Sequence, residues 1–243
     1  MTCDLSTSRA GLAAAIAAAS LAGTALTAQP ARADARPLGH DISAHQKHID
    51  WRAARAKGAR FVYIKATESH SYRSPSFAAQ SRGARAAGLL RGAYHFAVPS
   101  ASSGTRQARF FLAHGGHWKR DGWTLPPALD IERNPYRAGK PCYGLGRAAL
   151  VRWIRAFSDE VRRATGRRPV IYTTAPWWNR CTGGSRAFGA THPLWLADYT
   201  GAARPPAGWR VASIRQYAAR GPLPGDQDRW NGTPAQLRKF ANG

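Results

Sequence analysis

The chain has 243 residues, 44% hydrophobic and 20% charged, with 36 Lys and Arg against 13 Asp and Glu, a formal charge of +23. That balance suits a globular fold of one large or two small domains and excludes a disordered chain. The charge attracts polyanions, but zinc-finger, basic-zipper and RNA-binding sheet motifs are missing and the arginines are scattered among Ala and Gly, so no nucleic-acid partner is expected.

Arg9 precedes the uncharged run "AGLAAAIAAASLAGTALTA", and Ala31-Arg32-Ala33 forms an A-x-A site before Asp34. This is the pattern of a secretory signal peptide over residues 1–33, leaving 34–243 as a single domain in a secreted, extracellular protein. The alternative, a transmembrane anchor, is disfavoured because the run is short and Ala is weakly hydrophobic; no membrane association is expected after cleavage. Export sets the cysteine reading. Cys3 leaves with the signal, and Cys142 and Cys181 remain as an even pair, by default a disulfide in an oxidising compartment. No CxxC or HxxxH spacing suggests a metal.

The mature chain opens with a short strand at 39–43 and a helix capped by Asp50 and stopped at Gly58. The β-branched and aromatic run 61–68 predicts a strand. A helix between Ser74 and Gly88 follows, then a strand at 89–97 and a helix around 105–115. Residues 125–132, "LPPALDIE", predict the fourth strand, and a long loop holding Cys142 follows. Leu150, Val151, Ile154, Phe157 and Val161 recur at helical spacing, and residues 168–174 form a fifth strand. The rhythm then changes: strands at 193–200, 211–218 and near 226–231 lack convincing helices between them, and a terminal helix starts at Thr233-Pro234. Alternating strands and helices favour a parallel α/β sheet, and eight strands favour closure into a TIM-like barrel over an open doubly wound sheet. No GxGxxG turn follows the first strand, and no GxSxG elbow is present.

In a parallel barrel the strand C-termini make the functional face. Asp130 and Glu132 close the fourth strand two residues apart, so both project to one side. Close carboxylates in a partly dry site cannot both ionise cheaply, so one keeps its proton near neutrality. A glycosidase needs such an acid. Asp41, Glu68 and Asp198 end other strands, and Asp226 and Asp228 lie near the last one. The competing explanation, helix caps and arginine pairs, suits any one of these better than all of them together. Tyr63, Tyr94, His95, Phe96, Trp195, Tyr199 and Tyr217 sit near the same ends, where aromatic faces can stack on sugar rings.

The blocks "GHDISAHQKHIDW", "FVYIKATESHSY", "AAGLLRGAYHFA", "ALDIE", "VIYTT", "LWLADYT" and "IRQYA" resemble, in order, those of glycoside hydrolase family 25, the Chalaropsis-type lysozymes. The resemblance spans about residues 38–232. It implies a modified (β/α)5(β)3 barrel that cleaves the β-1,4 bond between N-acetylmuramic acid and N-acetylglucosamine in peptidoglycan, with no cofactor. It implies Glu132 as general acid and Asp41, Asp130 and Asp198 as supporting carboxylates; attack by the substrate's own N-acetyl group, oriented by Asp130 or Asp198, stands beside a direct Asp nucleophile and an inverting attack by water. Tyr63, Tyr94 and Trp195 would line the groove, with Glu68 and Tyr199 as further substrate contacts. Two blocks depart: "TESHS" replaces a "TEG" form after Glu68, and "GDQDRWNG" replaces the usual last block, where Asp228 is the matched acid. The chain ends soon after the barrel, so the basic surface of a monomer is expected to bind the anionic wall. A non-catalytic wall-binding barrel and a chitin-type glycosidase are the competing readings.

Overall fold

The computed structural model describes Met1, Thr2 and residues 36–243; Cys3 and the rest of the expected signal segment lie outside these. The elements run β1 (Leu38–Ile42), α1 (Trp51–Ala56), β2 (Ala59–Glu68), β3 (Tyr72–Arg73), α2 (Phe77–Ala86), β4 (Leu90–Phe96), α3 (Gly104–Ala113), β5 (Ala128–Asp130), α4 (Arg147–Thr165), β6 (Val170–Thr173), α5 (Ala175–Thr182), β7 (Leu194–Ala197), β8 (Ile214–Ala218), β9 (Asp226–Trp230) and α6 (Pro234–Asn242). The sheet order is β1-β9-β8-β7-β6-β5-β4-β2-β3, and pairing of β1 with β2 closes eight strands into a barrel, with β3 outside it.

Local chemistry sets several boundaries. The Asp50 carboxylate accepts from Ala53 N at 2.9 Å and starts α1, and Gly58, at φ +101°, ends the turn after it. Thr233 and Gln236 form a reciprocal capping box at the start of α6. Pro126 and Pro127 have no N–H to give, so β5 begins only at Ala128, shorter than the expected 125–132. Ile131 N still reaches Tyr172 O at 3.0 Å, so the extended path continues past the strand.

The structure corrects the expected parallel sheet at one strand. Neighbours from β1 to β8 run parallel round the barrel, but β9 is antiparallel to both β1 and β8. The start of β9 therefore lies at the rim where the other strands end, and Asp226 pairs in register with Asp41. Helix α5, not expected from the sequence, begins where Thr174 accepts from Trp177 N, with proline in the first turn.

Two apolar layers hold the barrel. Outside, Phe111, Ile154, Phe157, Val161, Leu129 and Ile131 pack α3 and α4 against the sheet. Inside, Phe61, Tyr63, Tyr94, Tyr172, Trp195 and Trp230 fill the lumen, as barrel interiors require. The expected Cys142–Cys181 disulfide is present, with Cα atoms 5.3 Å apart, and ties the loop after β5 to α5. No helix among the described residues is long and apolar enough to cross a membrane.

Candidate active site

At the rim formed by the ends of the parallel strands lies a groove with about 570 Å³ of free space. Asp41, Lys65, Tyr94, Phe96, Asp130, Glu132, Tyr172, Trp195, Gln216 and Asp226 line it, with Ser43 and His45 at one side. Alternation delivers the β5 pair: Asp130 and Glu132 face the groove while Leu129 and Ile131 between and beside them enter the outer core. Antiparallel β9 delivers Asp226 to the rim, Asp228 one layer down, and Trp230 to the floor of the lumen beside Phe240.

Four carboxyls, Asp41, Asp130, Glu132 and Asp226, meet on one small surface in a chain with so few acids. Burial, then the neighbouring Asp226, pushes Glu132 up to about 7, against the opposing pull of the Lys65 ammonium. Burial and Asp226 push Asp41 to about 7 as well, although a 2.7 Å hydrogen bond from Gln216 Nε2 to its Oδ2 favours the charge. Asp130, 7% exposed, is raised well above the usual carboxylate range by burial and by Glu132. Burial raises Asp226 also. Among the described residues, Glu132, Asp130 and Asp226 receive no side-chain hydrogen bond and form no ion pair, and Asp130 Oδ1 is a buried acceptor without a partner. Elsewhere the acids are engaged: Asp198, Glu160, Asp159, Asp121 and Glu68 all pair with Arg or Lys.

Gln216, whose role the sequence did not reveal, organises one wall. Its Oε1 accepts from Tyr172 Oη at 3.0 Å and Tyr199 Oη at 2.8 Å. Two hydroxyl donors on the carbonyl fix the amide so that Nε2 must face Asp41. Lys65, also unexpected, bonds Glu68 at 2.5 Å and lies over the Phe96 ring at 4.7 Å, while Tyr136 Oη donates to the other oxygen of Glu68. Glu68 thus reaches the groove through Lys65 and is not among the side chains that line it.

Asp198, Asp228 and Tyr63, like Glu68, do not line the groove. Asp198 turns away from the groove: its side chain, 2% exposed, accepts from Arg215 Nη1 at 2.9 Å, from Thr200 N and Oγ1, and from Ala203 N. Although burial opposes ionisation, those donors hold it below the usual range, so it is a fixed anion. Asp226 occupies the rim position that the sequence assigned to Asp198. Asp228, the acid matched to the last block, is fully buried beneath the groove and accepts from Trp195 Nε1 at 2.8 Å. Tyr63 is also fully buried; its hydroxyl donates to Pro126 O at 3.0 Å, and its ring stacks under Trp195 at 4.9 Å. It supports the groove floor without lining it. Tyr94 and Trp195 do line the groove, and Tyr199, 55% exposed, reaches its wall through the hydrogen bond to Gln216. His95 faces outward between Thr67 and Gln107, where burial lowers it to about 4 and keeps it neutral.

An acid that keeps its proton to about pH 7, beside carboxyls and tyrosines, can protonate a leaving oxygen and stabilise positive charge on carbon. Comparison with known proteins agrees with that chemistry. The family model described as "Glycosyl hydrolases family 25" matches residues 40–226. The N,O-diacetylmuramidase of Arthroderma benhamiae is 45% identical over 230 residues, covering 93% of this chain and 96% of that one. The N,O-diacetylmuramidase of Chalaropsis sp is 44% identical over 210 residues, covering 84% and 99%. The structure of a family GH25 lysozyme from Aspergillus fumigatus superposes with a TM-score of 0.82 at 48% identity, covering 86% of this chain and all of that one.

Proposed function

Because the chain belongs to glycosyl hydrolases family 25, we propose that Glu132 is the general acid with which this muramidase cleaves the β-1,4 bond between N-acetylmuramic acid and N-acetylglucosamine in peptidoglycan. Glycoside hydrolysis by a muramidase follows from the family and its relatives; the residue roles are our reading. One observation carries it: Glu132 lines the groove with no donor or cation bonded to it, and burial beside Asp226 keeps its proton to about pH 7. A carboxylic acid in that state donates to the glycosidic oxygen as the bond to the anomeric carbon breaks.

Positive charge then builds on the sugar ring. Asp130, Asp41 and Asp226 surround it, and each gains stabilisation from that charge in the transition state which it lacks before the bond breaks. In this reading the substrate's own N-acetyl oxygen attacks the anomeric carbon, and Asp130 takes the acetamide N–H on its unpartnered Oδ1. Water then opens the ring intermediate, with Glu132, now ionised, as the base. Gln216 positions Asp41, and Trp195 and Tyr94 offer stacking faces. The signal-peptide pattern over residues 1–33 supports secretion.

Wild type and Glu132→Gln on purified insoluble peptidoglycan test the assignment. The wild type should release new reducing ends carried by muramic acid, and the variant should lose at least roughly 10³-fold in kcat. Reducing ends on glucosamine, or turnover of chitin oligomers exceeding that of peptidoglycan, would overturn the substrate. Lysis by Glu132→Gln at the wild-type rate would overturn the residue.

A further inference from the structure

The groove uses the inner faces of β8 and β9; their outer faces carry a different chemistry. No helix lies between β7 and β8 or between β8 and β9, so this side of the barrel lacks the cover that α3 and α4 give the opposite one. Arg215 and Arg229 face each other directly across the antiparallel pair. Like charges at opposed positions repel and cost stability. Arg215 is satisfied by Asp198 and by the carbonyls of Gly201 and Ala203. Arg229 has no carboxylate partner among the described residues and lies over the Tyr217 ring at 4.9 Å. Arg36 and Arg210, exposed and likewise without a carboxylate partner among the described residues, join both around a hollow of about 920 Å³ of free space. No Asp or Glu lines it, and Val211 stands 60% exposed at its margin.

Three guanidinium groups unneutralised by the fold, converging on one apolar-edged hollow, match an anion carried on a carbon chain. Guanidinium binds phosphate through paired N–H donors. We propose that this hollow is a second, non-catalytic site that binds the phosphodiester groups of an anionic polyol-phosphate polymer of the bacterial wall and holds the enzyme there while the groove works. The proposal rests on the wall-degrading reading above and adds a ligand to it. Arg229 would take the phosphate between itself and Arg215, relieving their repulsion, with Arg36 and Arg210 engaging the neighbouring charge.

The test uses the triple variant R36Q/R210Q/R229Q, which leaves Arg215 on Asp198, and a control, R82Q/R106Q/R152Q, which removes the same charge from exposed positions of α2, α3 and α4. Co-sedimentation is measured on intact walls and on walls chemically stripped of phosphodiester polymer, and hydrolysis is measured on stripped walls. Wild type and control should bind intact walls about tenfold more tightly than stripped ones, a gain the hollow variant should lose. All three should hydrolyse stripped walls equally. If the hollow variant keeps the preference, if the control loses as much, or if wild type binds both walls alike, the site is refuted. A wild type that fails to hydrolyse stripped walls would instead refute the muramidase reading, and the binding comparison would stand independently of it.

Discussion

Replacing Asp226 and Asp198 in turn by Asn separates the acid that tunes the groove from the acid that holds the fold. Asp226 is unpartnered at the rim, and its negative charge is the second cause, after burial, of the raised Glu132. A neighbouring carboxylate acting through an effective dielectric of ~20–40 contributes about 1–2 kcal/mol, or about one pH unit. Removing the Asp226 charge lets Glu132 lose its proton earlier. The alkaline limb of kcat/KM in Asp226→Asn should therefore move down by about one pH unit from a wild-type midpoint near 7, with stability unchanged or higher. Asp198→Asn should do the reverse. It neutralises an ion pair whose Arg215 partner is 35% exposed while keeping one acceptor oxygen, so the loss is about 2 kcal/mol rather than the ~3–5 of a fully buried pair. At roughly 2–4 °C per kcal/mol for this size, Tm falls by roughly 4–8 °C. Its pH–rate profile should match wild type. Initial rates on soluble muropeptides from pH 4 to 9, with calorimetric melts, give both readouts. A shifted limb in Asp198→Asn and none in Asp226→Asn would refute the assignment of the two acids.

Gln216→Leu removes the donor to Asp41 and strands two tyrosine hydroxyls, so kcat/KM should fall roughly 10- to 100-fold through mispositioning; steady-state kinetics within twofold of wild type would refute it. Substituting Ser for both Cys142 and Cys181, 39 residues apart, removes about 4 kcal/mol of chain-entropy stabilisation and should lower Tm by roughly 8–16 °C; a melt within about 2 °C of wild type would contradict that. Asp130 is raised in the fold above its unfolded value, so it favours folding while protonated, and that contribution is lost as pH rises through the folded value. Asp130→Asn should therefore raise Tm at pH 8 and leave it unchanged at pH 4; equal melts at both pH values would sink the sign.

Much of the barrel was legible because strand and helix alternate with clear stops, and Asp130 and Glu132 were legible because alternation must send both to one side. The β9 reversal was not. Acids at strand C-termini mark the functional face only while every strand runs the same way. In "GDQDRW" the rim residue is the first of the strand, so the strand-end rule points to Asp198 and leaves the roles of Asp226 and Asp228 open. Asp198 misled because "LADYT" ends a parallel strand, as the rule demands, but Thr200 and Ala203 turn the loop so that their N–H groups capture its carboxylate. Gln216 and Lys65 carried no signal, since their roles depend on Tyr172, Tyr199 and Glu68, which are distant in sequence or ordinary in a strand. Tyr63 looked like a groove residue by its strand, but its register with Gly92 gives its ring room inside the lumen, where an added Cβ at position 92 would meet it at 2.3 Å.

The protonation of Glu132 is open to direct reading by ¹³C NMR of the side-chain carboxyls, with Glu132→Gln identifying the resonance. The account predicts a titration midpoint near pH 7, falling in Asp226→Asn. A midpoint between pH 4 and 5 in the wild type would mean an ionised Glu132 at working pH, and that result would contradict it.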